Sequence, residues 1–176
     1  GRLEALEDLI EDLLAEDTNK VIIWTRYIAE LELIEQVLSR MGHNRVRVQG
    51  GMALEAFEGA MKVFNEDPHC RVYLGQVASG IGVTLNAANY MVYYNLPWSL
   101  EQYLQSLARF YRIGQKRRVT VYRLVAPGTV DEIKAAVLDQ KIDIESALTD
   151  PGYTPSCARH ARGITEASCT CDGTVD

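Results

Sequence analysis

The chain has 176 residues, 47% hydrophobic and 24% charged, enough for one globular domain with a real core and a short appendage. No apolar run approaches the roughly 20 residues of a membrane span, and the opening Gly1-Arg2-Leu3-Glu4 has the character of neither a signal nor a transit peptide, so a domain of a longer protein is expected. A net charge of −6 argues against a generally basic nucleic-acid binder.

Leu3, Leu6, Leu9, Ile10, Leu13 and Leu14 recur at helical spacing, which predicts an amphipathic helix over residues 2–15 with an acidic outer face. Lys20-Val-Ile-Ile-Trp24 is a short continuous apolar run, the pattern of a strand buried on both faces. A helix over 28–40 is expected to end near Gly42. Arg45-Val-Arg-Val48 alternates as a strand, and Gly50-Gly51 turns. A third helix, over 53–65, should face Leu54, Phe57, Met61 and Phe64 inward and stop at Asp67-Pro68. Arg71-Val-Tyr-Leu74 is the next strand and runs into a segment of small residues from Gly75 to Gly82. Such residues allow backbone amides to approach a ligand closely.

Tyr90-Met-Val-Tyr-Tyr94 predicts a further strand. Ser99 and Gln102 form a capping box that opens a helix expected to close at Gly114. Val119 to Val125 is another strand. After the Pro127-Gly128 turn, Thr129 and Glu132 cap a last helix running to about Ile142. Strands alternate with helices throughout, which calls for a parallel sheet covered by helices on both faces. From residue 150 onward apolar periodicity stops, so 1–149 is read as the domain and 150–176 as an irregular tail.

The charge is unevenly spread. No acid lies between Glu101 and Asp131, yet that stretch holds Arg109, Arg112, Lys116, Arg117, Arg118 and Arg123. Gln105, Arg109 and Arg112 stand at i, i+4 and i+7, so on a continuous helix they share one face. Paired guanidiniums suit a polyphosphate, because each offers a fixed charge and a planar fork of donors. A solvated helix face explains the same spacing. Three other features have plain explanations. The pair Asp131-Glu132 follows a turn and opens a helix, as a cap does. Trp24 reads as core, and Trp98 is expected to pack beneath the arginine helix. His43 and His69 fall at turns and read as surface.

There is no G-x-x-x-x-G-K-[ST] loop, and Gly80-Ile-Gly82 fails the dinucleotide fingerprint because Leu85 takes the third glycine position. An α/β domain with convergent arginines and no phosphate loop is half of a site. It can supply arginine fingers to a nucleotide held by another lobe.

At this point the chain resembles the second, C-terminal RecA-like lobe of a Swi/Snf-type DNA-dependent ATPase of helicase superfamily two. Residues 105–115 are similar to motif six, Q-x-x-x-R-x-x-R-I-G-Q, and 116–125 with Gly128-Thr129-Val130-Asp131-Glu132 to its continuation. Ser79 to Leu85 resembles motif five, G-G-x-G-I-N-L, and Lys20 to Tyr27 resembles motif four, K-V-L-I-F-S-Q-F. Phe64-Asn65 matches the F-N that closes the following helix. The likeness runs in order over residues 1–142. It departs at Gln76, where many relatives have a DNA-contacting threonine, at Thr84 for asparagine and at Arg26 for glutamine. Gln49-Gly50-Gly51-Met52 replaces D-G-S-T. Phe57 stands where relatives have arginine, and Ala108 replaces an acid. The ATP side is kept and the DNA side altered.

The resemblance implies a RecA-like three-layer sandwich. It implies ATP with magnesium, bound mainly by a separate first lobe, and double-stranded DNA contacted without sequence preference. Arg109 and Arg112 would reach the γ-phosphate, and Gln105 would orient water or the first lobe's acidic motif. Gly80 and Gly82 would let motif five sit between nucleotide and DNA. Ser79 and Thr84 would donate to phosphates, with Lys116, Arg117 and Arg118 adding salt-sensitive contacts or forming a solvated turn. This chain alone is expected to be inactive. A non-catalytic RecA-like module that binds DNA or protein is the alternative. A small-molecule α/β enzyme lacks any visible cofactor loop.

Only Cys70 lies in the body, so a reducing, intracellular setting is expected, cytoplasmic or nucleoid if bacterial or viral and nuclear if eukaryotic. Cys157, His160, Cys169 and Cys171 in the tail suit a tetrahedral zinc by donor type, but the spacing matches no standard finger, and a disordered tail is the default.

Overall fold

The central strand fixes the architecture. In the computed structural model, which describes residues 1–77, 85–110, 119–149 and 165–167, β1 (Val21–Thr25) is buried along its whole length. It pairs in parallel with β3 (Val72–Gln76) on one side and β4 (Tyr90–Tyr93) on the other. Val21 therefore stands opposite both Val72 and Tyr90. A strand with neighbours on both edges and helices on both faces has no wet side, hence its unbroken apolar run.

Outward from β3 lies β2 (Arg45–Val48), and outward from β4 lies β5 (Thr120–Arg123). The order is β2-β3-β1-β4-β5, all parallel, with β6 (Thr165–Ala167) added antiparallel to β5. This last strand lies in the segment expected to be irregular. It covers the backbone donors and acceptors that β5 would otherwise present as an open edge. At the opposite edge, Arg45 and Arg47 of β2 pair with Glu35 at 3.3 and 2.9 Å. Charge on an outer strand discourages pairing with a second sheet.

Alternation in β1 divides the core in two. Val21 and Ile23 pack against α1 (Arg2–Leu13) and α2 (Ile28–Arg40) through Leu6, Ile10, Leu31, Ile34 and Leu38. Ile22 and Trp24 face the other layer, built from α3 (Leu54–Glu66), α4 (Leu100–Ala108) and α5 (Val130–Thr149). Helices on both sides of one sheet make the expected three layers. Arg71 ties the first helix down, its guanidinium donating to the carbonyls of Leu14 (2.8 Å) and Glu16 and its Nε to that of Asn19 (3.0 Å).

Three local expectations need correction. Leu54 is not inward: it is 69% exposed, because it opens α3 beyond the end of β2, and Phe64 carries that helix's buried contact. The arginine helix ends at Ala108, well short of Gly114, with Arg109 as its C-cap. The last helix continues past Ile142 to Thr149. No glycine or proline interrupts the sequence there before Pro151, so nothing local stops it sooner.

Gly75 is required by packing. A Cβ there would lie 2.6 Å from Tyr73 Cε1 and 3.0 Å from Trp24 Cζ3. Both rings are fully buried and packed edge to face, 5.3 Å apart, so neither can swing away. Gly75→Ala is expected to destabilise the domain by about 1–3 kcal/mol through overpacking, read as a lower urea midpoint at unchanged m-value.

Candidate functional site

The chain enters the sheet at β1 and turns one way, through α2 to β2. From the adjacent β4 it turns the other way, through α4 to β5. Neighbouring strands whose connections leave in opposite directions open a crevice at their carboxyl ends, where α/β sheets take ligands. Four strands converge their loops at that edge. Thr25, at the end of β1, lies fully buried with its Oγ1 against the Glu30 carboxylate and 3.0 Å from Asn95 Oδ1 after β4. Gln76, at the end of β3, accepts from the Gly50 amide (3.0 Å) and donates to the Arg26 carbonyl (3.1 Å).

Trp98 follows β4 and is not packed under the helix as expected. It is 54% exposed, since Ser99 turns the chain there, its Oγ accepting from Gln102 N at 3.1 Å as the helix cap. The Arg26 guanidinium lies 5.4 Å from its ring centroid and Lys134 Nζ 4.0 Å. Such distances are within cation–π range. The exposed Tyr27 ring also meets Arg26, at 5.7 Å. Sequence reasoning missed this group, though one trace of it was present. Arg26 departs from the glutamine of motif four.

Lys134 belongs to a second cluster. Asp131 is nearly buried and ion-pairs with both Arg2 and Lys134, the latter at 3.6 Å. Thr129 Oγ1 caps α5 by accepting from Asp131 N at 3.2 Å. Thr129 thus caps the helix as expected, though through the Asp131 amide rather than that of Glu132, whose N–H bonds the Thr129 carbonyl, and Asp131 also fastens the start of α1 to the start of α5. Asp131→Ala would strip two cations of their carboxylate. It is expected to lower the free energy of unfolding by about 1–3 kcal/mol, measured by urea denaturation.

At the other end of α4 stands the arginine region. Gln105 is exposed and donates to Glu101 Oε1 at 3.0 Å. Arg109 is half-buried in a helical conformation, φ −81° and ψ −24°. Its carbonyl accepts from the Leu85 amide at 3.2 Å, which joins the end of α4 to the end of motif five. Burial pushes the Tyr73 hydroxyl well above its ordinary range, and the positive charge of Arg109 partly opposes that shift. A polar girder underlies the helix. Tyr93 OH meets Ser106 Oγ, which donates to the Tyr103 carbonyl at 2.7 Å. Arg123 NH1 donates to Asp139 Oδ1 at 2.7 Å. Burial is the largest single influence and works against the Arg123 charge, yet this bond together with the negative potential of Asp139, Tyr103 and Tyr93 holds the guanidinium above its usual value.

Arg112, Ser79, Gly80, Gly82, Thr84, Lys116, Arg117 and Arg118 lie outside the described residues, as do Cys157, His160, Cys169 and Cys171. Among the described residues, no three His, Cys, Asp or Glu side chains gather as a metal would need. No helix among them is long and apolar enough to cross a membrane. His69 is exposed as expected, whereas His43 is half-buried. Burial first, and then the charge of Arg71, press its pKa below the ordinary histidine value.

Comparison with known proteins decides the family. The helicase conserved C-terminal domain matches residues 1–114. The chain belongs to that family. It is 30% identical over 153 residues to helicase SWR1 of Cryptococcus neoformans var. neoformans, covering 86% of this chain and 12% of that protein. It is 29% identical over 151 residues to the chromatin-remodeling ATPase INO80 of Debaryomyces hansenii, covering 85% of this chain and 11% of that one. The C-terminal part of the Fun30 ATPase domain superposes with a TM-score of 0.73 at 22% identity, over 78% of this chain and 45% of that one. The helicase C-terminal lobe is thus of the Swi/Snf type, and its sheet has the RecA-like fold.

Proposed function

We propose that this lobe is the second half of a DNA-dependent ATPase motor that moves along duplex DNA without reading sequence. The observation that carries the reading is the cationic end of α4. Arg109 caps the helix there, joined through Leu85 to the end of the motif-five segment. Arg109 and Arg112 would offer guanidiniums to the γ-phosphate as charge develops on transfer to water. Gln105 would orient that water or the acidic motif opposite. Gly80 and Gly82 would bring motif-five amides close to the nucleotide. Ser79, Thr84, Lys116, Arg117 and Arg118 would hold phosphates of the duplex.

The described residues around Arg109 offer no carboxylate cluster for a cation. They fit a polyphosphate better than its magnesium, so ATP and the metal would be held chiefly by a first RecA-like lobe. Hydrolysis would then open and close the cleft between lobes. The names of the relatives, a helicase and a chromatin-remodeling ATPase, support remodelling of DNA-bound protein as the task. By itself this lobe would not turn ATP over. The domain is proposed to span 1–149, with the residues after it an appendage that returns to the sheet edge through β6.

One observation favours a second reading. The Gln76 amide is engaged by two loop backbones where many relatives are expected to have a DNA-contacting threonine. A binding module without motor activity would tolerate that.

The deciding measurement is ATP turnover by the protein carrying both lobes, with and without duplex DNA. Arg112→Ala and Arg109→Ala are each expected to lower DNA-stimulated turnover at least about a hundredfold, with DNA binding largely kept. Unchanged turnover in both variants would remove the arginine-finger assignment. No turnover in the unaltered protein would put the binding module first.

A further inference from the structure

Gln76 uses both ends of its side-chain amide on backbone. Oε1 takes the Gly50 N–H and Nε2 gives to the Arg26 carbonyl. One side chain at the end of β3 thus joins the turns after β1 and β2. The residue it seats is Arg26. That guanidinium is exposed and lies over two rings, Trp98 at 5.4 Å and Tyr27 at 5.7 Å. Among the described residues no carboxylate pairs with it. Lys134 also meets the Trp98 ring, but its charge is matched by Asp131 at 3.6 Å. Among the described residues, Arg26 is therefore a cation without a paired carboxylate at the carboxyl ends of β1 and β4, in a chain of net charge −6.

A guanidinium already resting within cation–π range of two aromatic rings has less freedom left to lose on binding. Its free donors suit phosphate oxygens. The two bonds of the Gln76 amide to backbone make it a brace between the two turns.

The geometry points to Arg26 as a phosphodiester contact for duplex DNA, with Gln76 as its positioning residue and Trp98 and Tyr27 as its shelf. This rests on the motor reading above and assigns one DNA contact within it.

The test uses the protein carrying both lobes and a nonspecific DNA duplex, with affinity measured across a salt series. One phosphate contact contributes about 0.9 to the slope of log K against log salt. Arg26→Gln is expected to weaken binding several-fold and reduce that slope by about this amount, at an unchanged thermal midpoint. Gln76→Ala keeps the arginine and is expected to lose part of the same slope. A rigid structural role for Gln76 would shift its midpoint and leave the slope alone. Wild-type affinity and slope in Arg26→Gln overturn the assignment. A full wild-type slope in Gln76→Ala overturns the seating. DNA-stimulated ATP turnover in the same preparations reads the motor separately. If it persists while Arg26→Gln binds like the unaltered protein, the motor stands and this contact falls.

Discussion

Burial of β1 on all sides is the constraint from which the structure follows. A strand flanked by β3 and β4 and covered by two helical layers can spare no polar side chain along its middle. Its first polar side chain is Thr25, and that hydroxyl is at once occupied by Glu30 and Asn95. Polar chemistry is thereby displaced to the strand ends. The exposed Arg26 begins where the sheet stops. Position and chemistry are thus set by the same burial, since a cation one residue earlier would sit in a dry layer.

Helix α4 then separates two tasks. Trp98 and the Ser99 cap precede its first turn, and Arg109 closes its last. Nine residues of helix span about 14 Å. The arginine proposed for the nucleotide and the indole shelf proposed beside DNA stand at opposite ends of one strut. Below it, the Tyr93–Ser106 and Arg123–Asp139 bonds tie the strut and α5 to β4 and β5. A rigid mount of this kind carries displacement from one end to the other without needing a loop to refold.

What the sequence disclosed and what it concealed divide along sequence distance. The β1 run, the Ser99 cap and the Thr129 cap depend on neighbours within a few residues, and each is where local patterning placed it. Apart from the misplaced ends of α4 and α5, the failures involve partners far along the chain. Trp98 looked like core because an isolated tryptophan after a strand usually is. Its ring instead meets Arg26 and Lys134, one on either side of it in sequence and both remote. Asp131 looked like a cap alone, and its pairing with Arg2 joins the two ends of the domain. Leu54 obeyed helical spacing, yet its turn of α3 overhangs the sheet. Of the arginine face, Gln105 and Arg109 are described, the first exposed and the second capping the helix; Arg112 lies outside the described residues.

The bond from the Leu85 amide to the Arg109 carbonyl has an evolutionary corollary. Both partners are main-chain atoms, so neither side chain specifies the link. Residues on both sides of it can drift while the connection persists, provided their local backbone is kept. Proline at position 85 is the one replacement that deletes the donor outright. Motif five and the arginine helix can therefore diversify separately in sequence and still inherit a common mechanical joint.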